Sequence, residues 1–182
     1  MQFYLIASRS NWGEPAMILG MSLETFTILH VIISLIGIVS GLVVVYGMLS
    51  GHASAGITAL FLASTVLTSA TGFLFPADKL LPSHVVGIIS LVVLAIALAA
   101  LYAFRLAGAW RWIYVVSALL ALYFNCFVGV AQSFQKLAFL HPLAPTGSEP
   151  PFLVAQLAVM AIFIAIGVLA VKRYHPAAAA AV

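Results

Sequence analysis

A chain of 182 residues that is 65% hydrophobic and 6% charged, with a mean hydropathy of +1.23, is suited to lipid rather than water. Its net charge of +3 rests on few side chains with no run of Lys or Arg, which argues against a nucleic-acid partner. One domain of about five spans of roughly 20 residues each fills most of the length and leaves no room for a separate soluble catalytic domain.

Residues 1–22 form an N-terminal segment that is neither a span nor a good signal peptide, because Arg9, Asn11 and Glu14 interrupt its short apolar start. Trp12-Gly13-Glu14 must be encoded by a purine-rich run resembling a ribosome-binding site, just upstream of the Met17 codon. Translation is therefore expected to begin at Met17, with residues 1–16 an upstream extension. Long apolar stretches bounded by Gly, Pro or charge then predict spans over residues 25–49, 55–75, 84–106, 110–139 and 152–171. They make residues 23–175 a single all-α integral membrane domain, followed by an Ala-rich tail at 176–182. Very short links between spans one and two and between three and four force antiparallel neighbours. The longer connections, 76–83 and 140–151, carry most of the prolines together with Asp78, Lys79, His141 and Glu149, and lie on one side of the membrane.

Basic residues near span ends set orientation, since Lys and Arg resist export. Arg105, Arg111, Lys172 and Arg173 lie on one side; Lys79, Lys136 and, if translated, Arg9 lie on the other. The balance predicts a cytoplasmic C-terminus and places the N-terminus and the two Pro-rich loops outside, in the periplasm for a bacterial chain, with Trp110, Trp112 and Tyr114 as a cytoplasmic aromatic belt.

In lipid, helices associate through small residues and through polar side chains that need partners. His30, Ser34, Gly37 and Gly41 share a face of the first span, the last two as a GxxxG pair. Gly56, Leu60, Ser64, Thr68 and Thr71 share one on the second. Ser117, Ala121, Asn125, Gly129, Gln132 and Lys136 follow on the fourth, and Gln156, Met160, Phe163 and Gly167 on the fifth. Alternating helix direction puts His30, Thr68, Thr71, His84, Gln132, Gln135 and Gln156 at one depth, in the outer third of the bilayer. This layer is either a self-satisfied hydrogen-bond network or the lining of a site centred on His30, Gln132 and Gln156.

Imidazoles on different helices at matched depth supply the axial ligands of a b-type haem, with a nearby cation for a propionate. His30, His84 and His141 are the candidates, with Lys136 or Lys79 as the cation; three imidazoles equally suit copper or zinc. Against this, Ser83 is a natural N-cap that would leave His84 at the headgroups, His141 precedes Pro142 at a helix end, and only His30 is placed for burial. His52 and His175 lie at the opposite surface and read as solvated. Asn125, near mid-membrane, is expected to bond an adjacent helix, and Cys126 to pack. Ser148 is expected to cap the fifth span ahead of Pro150 and Pro151. The P-loop, dinucleotide, HExxH, CxxC and nucleophile-elbow patterns are absent, which argues against a familiar enzyme. Internal repeats and broken spans, which would indicate a transporter, are not found either.

The stretches LPSHVVG, AGAWRWIYV and APTGSEPPF resemble a family of small bacterial polytopic membrane proteins. That resemblance implies a bacterial inner-membrane location and carries no activity or site. The residues themselves favour a non-enzymatic binding or accessory role, in contact with the lipid bilayer and with other membrane subunits or a second copy. A haem b or metal redox protein using His30 with His84 or His141 is the alternative.

Overall fold

The computed structural model describes residues 17–52, 54–77 and 82–175, and five of its helices are long and apolar enough to span a membrane. The start-codon expectation for residues 1–16 and the tail at 176–182 lie outside the described residues, as do Lys79 and Asp78. The described chain opens with a small hairpin of β1 (Met17–Ile18) and β2 (Met21–Ser22), with Leu19 and Gly20 both at positive φ. Two such residues in succession give the primed turn that matches strand twist.

Helix α1 (Leu23–Ser50) begins where the Ser22 hydroxyl accepts the Thr25 N–H at 3.2 Å, with Glu24 favourably placed in the first turn. At its other end Gly51 adopts the left-handed conformation, and the Gly51 and His52 amides both close onto the Gly47 carbonyl. Helix α2 (Ala55–Gly72) follows, then α3 (Pro82–Leu98), which relaxes into a π turn at Ala99–Ala103. The Leu106 amide reaches back to the Ala100 carbonyl while Arg105 and Leu106 take positive φ, so the third span ends before the residue 106 expected from hydropathy. Helix α4 (Trp110–Lys136) stops short of residue 139, and α5 (Pro150–Arg173) starts two residues before its expected boundary.

Helices α1, α2, α3 and α4 close a ring, each packed on the next and α4 back onto α1; α5 lies outside it, along α4 and α1. Only 6% of the most apolar window of α5 is buried, against 28–39% for the other spans, so α5 is the peripheral helix. The hairpin, the end of α2, the start of α3 and the α4–α5 connection occupy one end of the bundle, called here the hairpin face. The α1–α2 link, the α3–α4 corner and the end of α5 form the opposite, arginine face. The apolar core is displaced toward the arginine face: Val44, Met48, Phe61, Leu94, Leu101, Tyr114 and Leu122 all belong to it.

The GxxxG face of α1 forms a close crossing. A Cβ on Gly41 would lie 2.6 Å from Leu122 Cδ1 and 2.9 Å from the Phe61 ring. One on Gly37 would lie 3.2 Å from Asn125 Nδ2 and 3.3 Å from the Ser64 and Thr65 hydroxyl oxygens. On α2 the buried stripe is Thr58, Phe61, Leu62, Ser64, Thr65 and Ser69, while Gly56 and Leu60 are exposed. The expected α2 seam is thus rotated toward Thr65 and Ser69, and Ser69 donates to Ser90 of α3 at 3.1 Å.

The expected aromatic belt also changes. Trp112 is exposed, Trp110 stacks on Phe104 with centroids 3.7 Å apart, and Tyr114 is 1% exposed, a core residue rather than a headgroup anchor. Arg111 has a further role. Its Nη1 donates to the Val171 and Tyr174 carbonyls at the C-terminus of α5. A cation in the first turn of its own helix opposes that helix dipole, yet here it lies against the negative end of a neighbour's.

The α4–α5 connection is ordered by Glu149, which replaces Ser148 as the N-cap position and carries no side-chain cap bond of its own. Instead its carboxylate accepts the Thr146 amide at 3.0 Å, the Thr146 hydroxyl at 2.9 Å and the Ser148 amide at 3.0 Å. Desolvation works against the anion, but the Thr146 and Ser148 bonds outweigh it and hold the carboxyl at about 2, below its ordinary 4.5. With the folded value depressed, the contribution to stability is complete above about 4.5 and lost as pH falls toward 2. A side-chain carboxyl NMR titration of the detergent-solubilised chain is expected to show Glu149 titrating near 2. The Thr146→Val variant is expected to move it upward, and an ordinary midpoint in the native chain would contradict the loop geometry.

Candidate functional site

The polar layer foreseen at matched depth lies toward the hairpin face, where the apolar core thins out. His30 projects from α1 and its Nδ1 lies 2.8 Å from Thr71 Oγ1 on α2. The Thr71 hydroxyl has a single proton, and it is directed to the Leu67 carbonyl at 2.7 Å. With the Thr71 proton on that carbonyl, the matching neutral tautomer of His30 donates from Nδ1 and leaves Nε2 as the acceptor atom. Phe75, just past α2, sets its ring edge-on to His30 at 5.1 Å and edge-on to Phe26 at the same separation. His30 is thus fixed from two sides by residues at the end of α2.

The His30–Thr71 bond joins two helices in a low-dielectric setting, where such bonds contribute about 1 kcal/mol. A double-mutant cycle of His30→Ala and Thr71→Val, read by denaturant unfolding in micelles, is expected to return a coupling of roughly that size. Strict additivity of the two substitutions would contradict the bond.

The other candidates divide into three groups. Asn125 and Gln156 bridge helices: Asn125 Nδ2 donates to Thr65 Oγ1 at 3.4 Å, and Gln156 Nε2 donates to the Phe127 carbonyl at 3.0 Å, linking α5 to α4. His84 lies near the start of α3 with its ring stacked on Phe73 at 5.6 Å, and Ser83 is already inside that helix, whose first residue is Pro82. His141 opens the short 3-10 turn His141–Leu143. Gln132, Gln135 and Lys136 form the exposed outer end of α4, and the two glutamines make no hydrogen bond within the described chain. Depth was matched across these helices; azimuth was not, since Gln132 and Gln135 are exposed while Gln156 is buried.

Some of its hydrogen-bonding capacity is left open. Among the described residues, the buried side-chain polar atoms without a partner are Thr68 Oγ1, His141 Nδ1 and Gln156 Oε1. All three belong to the hairpin-face third. A buried polar atom left unpaired in apolar surroundings costs about 1–3 kcal/mol, so each calls for a partner that the described chain does not supply, whether an ordered water or a ligand.

No three His, Cys, Asp or Glu side chains gather closely enough to hold a metal ion among the described residues. Cys126 is half-buried and packs against the core cluster. On the arginine face a cavity of about 30 Å³, room for a water or two, lies between α1, α2, α4 and the end of α5. Thr58, Tyr114, Tyr174 and His52 line it. Sequence reasoning missed this cavity because its polar lining is spread over four segments, with His52 and Ser54 in the α1–α2 link and Thr58, Tyr114 and Tyr174 contributed singly. It also missed Thr65 as the partner of Asn125, although Thr58, Thr65 and Ser69 recur at helical spacing along α2.

No family model matches the chain, and no curated protein or solved structure is significantly similar to it.

Proposed function

We propose that this multi-pass membrane protein is a non-enzymatic binding or accessory subunit whose polar layer on the hairpin face receives a ligand or another membrane chain. The observation that carries the reading is the confinement of unpaired buried polar atoms, Thr68 Oγ1, His141 Nδ1 and Gln156 Oε1, to that face. A bundle that served only to fill lipid would close such groups internally, as Ser69 and Ser90 do. The exposed amides of Gln132 and Gln135 add polar surface at the same level. The basic residues of the opposite face, Arg105, Arg111, Lys172 and Arg173, support a cytoplasmic arginine face and hence a periplasmic layer in a bacterial inner membrane.

Affinity purification from native membranes in a mild detergent tests this reading. A stoichiometric protein or small molecule is expected with the native chain and is expected to be lost from a Thr68→Val, Gln156→Leu variant. Recovery of the chain alone, or retention of the component by the variant, would contradict it.

The second reading, haem b or copper or zinc held through His30 with His84 or His141, is supported by the assignment of Nε2 as the open acceptor of His30. A Soret band that shifts on dithionite reduction and disappears in His30→Ala would support the haem form. A stoichiometric metal lost in the same variant would support the metal form. A silent spectrum without metal would remove both.

A further inference from the structure

Four of the five described Lys and Arg residues lie on the arginine face; the fifth, Lys136, ends α4 at the hairpin face. Arg105 lies in the α3–α4 corner, Arg111 at the start of α4, and Lys172 and Arg173 in the last turn of α5. The described acids, Glu24 and Glu149, both lie at the other end, at the start of α1 and of α5. None of the four cations has a carboxylate partner among the described residues. A cluster of uncompensated cations at a membrane surface attracts anions from the adjoining leaflet, with little screening at contact distance.

The cluster has a fixed element. Arg111 is anchored by its bonds to the Val171 and Tyr174 carbonyls, in the same last turn of α5 that carries Lys172 and Arg173. Those bonds use Nη1, so the Nε and Nη2 hydrogens remain for another acceptor. The corner around it is stiffened by the parallel stack of Phe104 on Trp110, with an interplanar angle of 1°. Tyr102, Phe104 and Trp112 are exposed beside it, the amphipathic and aromatic side chains that settle at headgroup level. Cations and aromatics are therefore presented together at the depth of a lipid phosphate, beside the exposed apolar surface of α5.

We propose that this corner binds the headgroup phosphate of an anionic phospholipid, with Arg111 as the oriented donor and Arg105, Lys172 and Arg173 as the surrounding charge. A zwitterionic lipid offers the same phosphate but brings its own ammonium group toward four cations, which disfavours it. Such a lipid would bridge the α3–α4 corner and the end of α5 on the face opposite the polar layer, so it stands independently of whatever that layer receives.

The test uses the full chain in vesicles, in a Trp12→Phe background so that emission comes from Trp110 and Trp112, the other two of its three tryptophans. Brominated phosphatidylglycerol and brominated phosphatidylcholine are compared as quenchers at equal mole fraction in otherwise identical bilayers. Both tryptophans lie on the arginine face, so quenching reports only the leaflet in contact with it. The expected result is an apparent association about fivefold or more stronger for the anionic lipid, the factor one nearby cation supplies. Replacing Arg105, Lys172 and Arg173 by Gln is expected to weaken the preference, and raising salt to molar strength to abolish it. Arg111 is left intact, because its loss would loosen α5. Equal quenching by the two lipids, or a preference that survives both the Gln variant and high salt, would overturn the proposal. Should the Gln variant fail to fold, the salt series on the native chain decides alone.

Discussion

Gly41→Leu is expected to abolish the folded bundle, whereas Gly37→Ala is expected to be nearly neutral. At position 41 even a methyl group would meet Leu122 Cδ1 at 2.6 Å and the Phe61 ring at 2.9 Å. The Leu122 methyl can swing aside, but the Phe61 ring is fully buried and has nowhere to go. Overpacking of this kind costs about 1–3 kcal/mol for one extra carbon, partly offset by the roughly 1 kcal/mol gained in helix propensity when Gly becomes Ala. Gly41→Ala is therefore expected to be mildly destabilising. A full Leu side chain would force α1 away from both α2 and α4 and cost more than about 3 kcal/mol, a large part of a typical folding free energy. At position 37 the nearest atoms are Asn125 Nδ2 at 3.2 Å and the Ser64 and Thr65 hydroxyls at 3.3 Å, which yield by a few tenths of an ångström. Thermal unfolding monitored by size-exclusion chromatography in detergent checks the ranking. Equal tolerance at both glycines would mean that α1 does not cross α2 and α4 where described.

Arg111→Met is expected to release the C-terminal end of α5 with little change elsewhere. Methionine keeps the length and apolar stem but removes the donor that serves the Val171 and Tyr174 carbonyls. Hydrogen bonds from a charged donor contribute about 1.5–3 kcal/mol, and the helix-end dipole adds a few tenths more. Because α5 is the least buried span, it has few other contacts to compensate. Amide hydrogen exchange is expected to quicken across the last turns of α5 in Arg111→Met and to stay unchanged in α2. Arg111→Lys is expected to recover only part of the protection, since an ammonium lacks the planar fork of donors. Unchanged exchange in α5 would show that the tether is not what holds this end.

How far the sequence carried depends on which physical signal was being read. The spans were legible because only helices satisfy their own backbone in lipid, so a long apolar run dictates its own secondary structure. Their ends were less so: Ala99–Ala103 contains no Gly or Pro to announce a π turn, and Leu19 at positive φ departs from ordinary residue preference. The close face of α1 was legible from Gly37 and Gly41, since little besides close packing explains glycines one turn apart in a membrane helix. On α2, Ser and Thr occur on several sides of the helix, so periodicity could not choose between Ser64 with Leu60 and Thr65 with Phe61. Matched depth put His30 and Thr71 at one level without pairing them. Phe75 against His30, Arg111 against α5 and the outward azimuth of Gln132 did not follow from it, because each depends on how whole helices rotate and dock. Charge counting placed Arg111 on the right face but missed that it serves a neighbour's carbonyls.

The central claim is that the polar layer on the hairpin face engages something beyond the chain itself, and a photoreactive amino acid at position 132 tests it most directly. Gln132 is exposed at the level of the layer, and Val92, exposed on α3, is a lipid-facing control. Irradiation of intact native membranes is expected to give a discrete protein or small-molecule adduct from position 132 and only lipid adducts from position 92. Lipid adducts alone from both positions would contradict the account and leave the layer as hydrogen bonding between helices.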